Sequence, residues 1–506
     1  MKALQDYVFL SDRDTFETYM VERDGAVWRL PPAPKAVFYP DHRQPSLLDF
    51  STNISGTTSW KWRDGWLPIL EIRTEGHLLE LHAADGLLRT RRDQSEARLY
   101  DRDGAHPIAC DAFEEGVRKL TRAWQDFFRD TPQPSPLAGE APEAWRATIV
   151  QGLSAGCGNH PKYGVGSYHD RVHDGFPPAT ISVVDLLLKL GRHEEACARM
   201  AYYLERFVLA DGTLDYYGPS LAEYGMLLEL CARCAVTPFG DDWLAQSRAP
   251  ILRLARLLLR SGNPLVSQED ANFPGLLAGV PEADTKDRPA IYVHNNAWVV
   301  RGLEAWSRAA KARGLAESAA ECALEAERLR VALRAALDNH RMTDGLPPYR
   351  LPSEASVASF AGSRDATYAN YRYYLELLES GFLTRDEAMA VVKAREERDG
   401  EAEGMTLFGF GVSFPTLTHL PALCADNWPI ASYGHALADL GERDRLERVI
   451  HGHYLNHQSR DTFTAYESVE IDTAAPFRKA VTDWCVPAQL AYPRMLLRRE
   501  ALAARI

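Results

Sequence analysis

Cysteine is scarce in this chain, with eight in 506 residues (Cys110, Cys157, Cys197, Cys231, Cys234, Cys322, Cys424 and Cys485). So thin a scatter excludes a disulfide-stapled scaffold. Cys231 and Cys234 form a CxxC in LLELCARCA, which reads as helix, and no second Cys pair stands at zinc spacing. Buried small filler is the expected role. No apolar run approaches the ~18 residues of a membrane span. Basic charge is also short: 57 Lys and Arg against 70 Asp and Glu, net −13. That balance argues against nucleic acid, whose phosphates need a basic face. No GxxxxGK[ST] loop, no GxGxxG after a strand and no HExxH occurs, so no nucleotide cofactor and no metal is expected. The start, MKALQDYVFLSDRD, lacks a sustained apolar core and a small-residue cleavage site. A cytoplasmic protein with reduced thiols is the expectation.

What remains is a chain of ordinary folded composition, 46% hydrophobic and 25% charged. At 506 residues it exceeds the size at which one core stops growing, so two domains are expected. In the first part, AVWRL (26–30), KAVFYP (35–40), LPILEIRTE (67–75) and HLLELHA (77–83) are short, partly alternating and punctuated by Pro, Gly and Asp. They predict a β-rich, sandwich-like domain over 1–110.

From about 112 the apolar residues return at intervals of three and four. Helices are predicted near 112–129, 143–154, 179–190, 193–209, 219–235, 243–260, 292–313, 316–338, 366–380, 384–396, 428–440, 443–456 and 479–500. No strand series of comparable strength interrupts them. The connections alternate between short and long. LGRHE, ARGLAES and LGERD are short, each with a Gly just after a helix, as a left-handed cap needs. The long ones, 155–178, 210–218, 261–291, 339–365, 397–427 and 457–478, hold nearly every cluster of acidic, His, Asn, Tyr and Trp residues. Helical hairpins would gather the long loops at one end. Loops so long and aromatic are functional more often than disordered.

One of them reads GSYHDRVHDGFPP (166–178). Two prolines there oppose a helix across their own positions, so two His–Asp pairs are expected on a loop wall. His169 and His173 are spaced by four, but Gly175 and the prolines speak against a helical metal site.

Three segments carry a family resemblance: GLLAGVPEADTKDRPAIYVHNNAWVVRGLEAW (275–306), ADNWPIASYGHALADLG (425–441) and FTAYESVEIDTAAPFRKAVTDWCVPAQLAYPRMLL (463–497). They resemble the six-hairpin glycosidase superfamily. The resemblance implies an (α/α)6 toroid of helical hairpins over 111–506, preceded by the β-rich domain, and a carbohydrate substrate. It also implies inversion at the sugar carbon, with an acid from an early or middle loop and a base from a late one.

Glycoside hydrolysis needs those two carboxyl groups. Glu467, beside Tyr466 in TAYESVEID, is the expected late carboxylate, with Glu470 and Asp472 in reserve. For the acid, Glu282 in GVPEADTK (with Asp284 nearby) ranks first, then Asp174 and Asp170, then Glu223 in YYGPSLAEYG. Tyr168, Tyr216, Tyr217, Trp298, Trp428, Tyr466 and Trp484 offer flat faces for sugar rings, and His169, His173, His294, Asn295 and Asn296 offer polar groups for hydroxyls. Core packing, and for Asn295 or Asn296 an N-cap, are the competing roles. An exo-acting hydrolase on an oligosaccharide is the leading expectation. A uronate lyase using His294, Asn295 and Tyr292, or Tyr168 and Arg171, is the alternative. A sugar epimerase and a non-catalytic helical scaffold follow, and a homo-oligomer is left open.

Overall fold

The computed structural model describes residues 7–12, 17–30, 46–49, 59–101, 104–155, 158–164, 167–168, 171–172, 175–259, 272–283, 288–352, 356–418, 421–471 and 484–503. Two antiparallel sheets open the chain. The first runs β1 (Tyr7–Ser11), β2 (Thr18–Glu22), β3 (Ala26–Leu30) and β4 (Leu48–Asp49); the second runs from β5 (Ser59–Arg63) through β6 (Leu67–Arg73), β7 (Leu78–Ala84), β8 (Leu87–Arg92) and β9 (Glu96–Tyr100) to β10 (Ala105–Ile108). β5 shows the period-2 logic: Trp60 and Trp62 point inward while Ser59 and Lys61 face solvent. β1 packs on β6 and β7, which makes a sandwich, and helix α1 (Cys110–Phe128) covers the second sheet.

The remaining helices are α2 (Ala144–Ser154), α3 (Pro177–Lys189), α4 (His193–Phe207), α5 (Leu221–Ala235), α6 (Gly240–Leu258), α7 (Val293–Ala312), α8 (Ala316–Asn339), α9 (Arg364–Tyr368), α10 (Tyr374–Ser380), α11 (Arg385–Glu397), the single turn α12 (Phe410–Ser413), α13 (Ile430–Asp439), α14 (Arg443–Asn456) and α15 (Val486–Ala503). Six of them form a closed inner ring: α3 touches α5, α5 touches α7, and the contacts continue through α10, α13 and α15 back to α3. Each of α3, α5, α7, α10 and α13 leads through a tight turn into an outer helix, and α2 packs on α15 to complete the sixth pair. The fold is an (α/α)6 toroid preceded by a β-rich region. Gly191, Gly314, Gly381 and Gly441 stand at four of the tight turns with φ of 70–74°. That left-handed conformation costs glycine nothing and other residues about 1 kcal/mol or more.

Helix α5 crosses α7 closely because both carry glycine at the contact. A Cβ on Gly225 would lie 2.2 Å from the Trp298 carbonyl oxygen, and one on Gly302 would lie 2.4 Å from the Gly225 oxygen. Pro177 and Pro178 depart from the expectation of a helix-free pair. They are the first two residues of α3, where an unsatisfied N–H is not missed, while Phe176 stays extended.

The long connections also contain short strands that helical periodicity did not reveal: β11 (Ser167–Tyr168) with β12 (Arg171–Val172), β13 (Ile291–Tyr292) with β14 (Arg350–Leu351), and a sheet of β15 (Glu401–Ala402), β16 (Met405–Phe408), β17 (Cys424–Asp426) and β18 (Ser468–Glu470). The β13–β14 pair ties the loop before α7 to the one before α9, and the β15–β18 sheet ties the loop before α13 to the one before α15. The sandwich reaches the same end, where the Trp62 indole donates to the Thr462 carbonyl at 2.8 Å and Arg23 pairs with Asp461 at 2.6 Å.

Candidate functional site

The loops at the N-terminal ends of the inner helices meet. The Gly218 amide donates to the Ala283 carbonyl at 2.8 Å, and Val280 to the Pro219 carbonyl at 3.1 Å. Gly164 bridges Cys485, and Asp426 pairs with Ser468 across β17 and β18. Between them lies an aromatic wall. Phe176 stands 5.1 Å from Tyr163, 5.5 Å from Tyr216 and 5.8 Å from Trp428, and Tyr371 packs on Phe408 at 5.0 Å. The Trp428 indole donates to the Tyr371 hydroxyl. Tyr216 and Tyr217, in edge contact at 5.0 Å, are half-buried and leave part of their faces open.

A cationic group underlies this wall. Between α9 and α10 the chain widens into one π-helical stretch, Ala369–Tyr373, which carries Tyr371 and Arg372. Such bulges break helical spacing and re-aim side chains, frequently at functional sites. The Arg372 guanidinium is fully buried, with Nη1 2.7 Å from Glu282 Oε1, Nε 3.0 Å from Glu376 Oε1 and Nη2 paired to Glu223. One cation faces three buried carboxyl groups. Burial pushes Glu223 up to about 7 and Glu376 up to about 8; Arg372 opposes both shifts, and their acidic neighbours add to them. Neutral pH therefore leaves these two groups partly or mainly protonated, which relieves the repulsion.

Above this group stand two more carboxyls. Asp426, only 4% exposed, accepts a hydrogen bond from Ser468 Oγ at 2.7 Å. Burial pushes it up to about 7, the Ser468 bond resists, and the charge of Glu282 adds to the rise. Glu467 is half-buried and accepts a hydrogen bond from the Tyr163 hydroxyl at 2.8 Å. Glu282, Asp426 and Glu467 all act on the fully buried Tyr371 phenol, whose ionisation burial and these charges oppose. Three carboxyl groups of different burial thus act on one phenol. A deeply buried acid that holds its proton, beside a more open, hydrogen-bonded carboxylate, is the arrangement that proton transfer in both directions requires.

Against that geometry, a bacterial glucoamylase solved in complex with acarbose is similar over 99% of this chain and 86% of its own, at 11% identity and a TM-score of 0.53. The two share a fold. An α-mannosidase of Streptococcus pneumoniae (12% identity, TM-score 0.46, 76% of this chain and 97% of that one) and an unsaturated glucuronyl hydrolase specific for heparin (13%, 0.43, 76% and 99%) are more distant. No family model matches the sequence, and no curated protein is similar to it.

The expected site residues are distributed as follows. Glu467, Glu282, Trp428 and Tyr217 sit at the loop end. Glu223 lies beneath, 0% exposed and locked to Arg372, out of reach of a substrate. His294 is fully buried, stacked on Tyr373 at 4.8 Å with Nε2 3.3 Å from the Pro281 oxygen, and burial pushes its imidazole down to about 3. Asn295 and Asn296 act as staples. Asn295 accepts from the Ala222 amide and donates to the Val280 carbonyl, and Asn296 does the same at Leu277, each bond between 2.9 and 3.0 Å. Trp298 donates its indole N–H to the Glu376 carbonyl inside the ring. Trp484 packs on Phe9 at 4.8 Å and its backbone amide donates to the Tyr7 hydroxyl at 2.9 Å, so it joins sandwich to toroid. Tyr466 is buried and bridges Trp484. His169, Asp170, His173, Asp174, Asp284 and Asp472 lie outside the described residues, and Tyr168 is described only as backbone in β11.

Sequence reasoning missed Asp426, Arg372, Glu376 and Tyr163. ADNWP looks like a helix lead-in, and Arg372 sits in an apparently ordinary helical stretch, NYRYYLELL. Among the described residues no group of three His, Cys, Asp or Glu could hold a metal ion, and no helix is long and apolar enough to cross a membrane.

Proposed function

We propose that this protein is a glycoside hydrolase that removes sugar from the end of an oligosaccharide with inversion. The observation that carries the reading is the gathering of Asp426, Glu282 and Glu467 against an aromatic wall at the long-loop end. Asp426 is the proton donor to the leaving oxygen: buried, held near 7 and next to the charge of Glu282. Glu467, more open and oriented by Tyr163, is the base that draws a proton from the attacking water. Glu282, 2.7 Å from Arg372 Nη1, acts on Asp426 as a neighbouring negative charge and so favours its protonated form. Inversion needs the acid and base about 6.5–9.5 Å apart, with a water between. Tyr216, Tyr217 and Trp428 supply surfaces for a pyranose face. Fold alone does not carry an activity, yet the glucoamylase crystallised with acarbose makes α-glucosides the first substrates to try.

The lyase alternative is less well supported. Its set of His294, Asn295 and Tyr292 is buried, and the Asn295 amide is spent on backbone. The test is turnover of an aryl-glycoside and oligosaccharide panel, with proton NMR of the first-formed anomer. A free sugar of inverted configuration is expected. A retained anomer refutes the inverting mechanism, and an unsaturated uronate at the cut end refutes hydrolysis.

A further inference from the structure

The inner ring encloses a second space, away from the loop-end site. A cavity of about 300 Å³ runs along the toroid axis at the C-terminal ends of the inner helices, where the tight turns lie. Trp298, Trp428 and Glu376 form its floor, so it lies back to back with the carboxyl group cluster. Its rim is partly open, with the Asp439 side chain 47% exposed and Arg498 29%.

The deep part holds an unusual charge arrangement. A single buried carboxylate, Asp185, receives Arg233 Nη1 at 2.8 Å, Arg494 Nε at 2.7 Å and the Lys189 ammonium. Three cations from three helices converge on one anion. Around the cavity Glu229 pairs with Arg301 at 2.8 Å and Asp439 with Arg498, while Glu379 accepts a hydrogen bond from His435 Nδ1 at 2.6 Å. Glu376 already belongs to Arg372. Burying like charges together is costly unless an opposite charge joins them. A second observation points the same way. His435 lines the cavity, is 5% exposed, and its buried Nε2 has no hydrogen-bond partner among the described residues. A polar atom left so in a polar, roomy cavity marks a place for a ligand atom.

We propose that the axial cavity is a binding site for a small oxyanion, a phosphate, sulfate or carboxylate group, held by Lys189, Arg233 and Arg494 with a protonated oxygen or hydroxyl facing His435 Nε2. The site is separate from the loop-end carboxyls and opens at the opposite face of the ring. Guanidinium groups suit it because their planar N–H pairs match two oxygens of such an anion. The cavity also leaves room beyond the anion for a small attached group.

The test is calorimetric titration of the intact protein with inorganic phosphate, sulfate and acetate, against chloride at matched ionic strength. Saturable binding at one site is expected, with phosphate affinity about tenfold or more weaker in Arg233→Ala and largely restored in Arg233→Lys. Arg233 is 35% exposed at its side chain, so the variant need not disturb the core. Arg498→Ala, at the rim, should bind as the wild type does. Glu467→Gln should also bind unchanged, which separates this site from the proposed hydrolytic one. No saturable binding of any of the three anions, or equal losses in Arg233→Ala and Arg498→Ala, overturns the proposal.

Discussion

The Tyr163 hydroxyl donates a hydrogen bond of 2.8 Å to Glu467 Oε2, joining two loops whose residues lie 304 apart in sequence. The contact fixes one carboxylate oxygen of the half-buried side chain. Removing the hydroxyl in Tyr163→Phe should lower kcat about tenfold with little change in KM. A loss confined to KM would make Tyr163 a substrate contact instead.

Asp426 and Glu282 have different roles here, and substrates of different leaving ability separate them. Asp426→Asn should cut hydrolysis of unactivated glycosides by about 10²–10⁴ and spare aryl-glycosides whose leaving group needs no proton. Glu282→Gln should instead shift the alkaline limb of the pH–rate profile. An acid held up to about 7 is active while protonated, so kcat/KM falls as pH rises through that value. Taking away the neighbouring charge moves the fall to lower pH. If Glu282→Gln shows the leaving-group dependence and Asp426→Asn does not, the two roles are exchanged.

Stability should follow the buried carboxyls. Glu223 and Glu376 are raised to about 7 and about 8 in the folded protein, above the 4.5 they have when unfolded. The native state therefore binds more protons between these values, and stability declines with rising pH across that window. The contribution is fully present below about 4.5 and lost as pH passes 7 to 8. Thermal melts from pH 5 to 8.5 should fall, and Glu376→Gln should flatten the slope. A rising melt for the wild type would contradict the assignment.

Asn295 tests staple against substrate contact. Asn295→Ala strands a buried amide and a buried carbonyl, at about 1–3 kcal/mol each. A lower unfolding temperature with nearly normal KM is expected; a raised KM at unchanged stability would restore the sugar-reading role.

The α5–α7 crossing offers a test of packing. Gly225→Ala places a methyl group 2.2 Å from the Trp298 oxygen, and backbone cannot yield as a flexible side chain can. The variant should lose several kcal/mol of stability. A melt within a degree or two of the wild type would mean the helices separate easily.

The toroid was legible because long amphipathic helices repeat their pattern over three or more turns, and because glycine marks tight exits such as Gly191 and Gly441. The two-to-four-residue strands β15–β18 are too short for a period of two to register, and Asp426 was hidden with them. Arg372 escaped notice for a related reason. It reads as one charge on a helical face, and only the π-helical stretch turns it inward among Glu223, Glu282 and Glu376. Asn295 and Asn296 were visible as polar residues at a helix start, but sequence spacing cannot distinguish an amide that caps, one that staples a loop and one that meets a ligand. Pro177 and Pro178 read as helix breakers until their place at the first turn of α3 was known.

The hydrolytic account depends most on Glu467. Turnover of Glu467→Gln on a glycoside that the wild type cleaves should drop by about 10³ or more, with the unfolding temperature unchanged. Turnover within a few-fold of wild type would remove the base and, with it, the proposed mechanism.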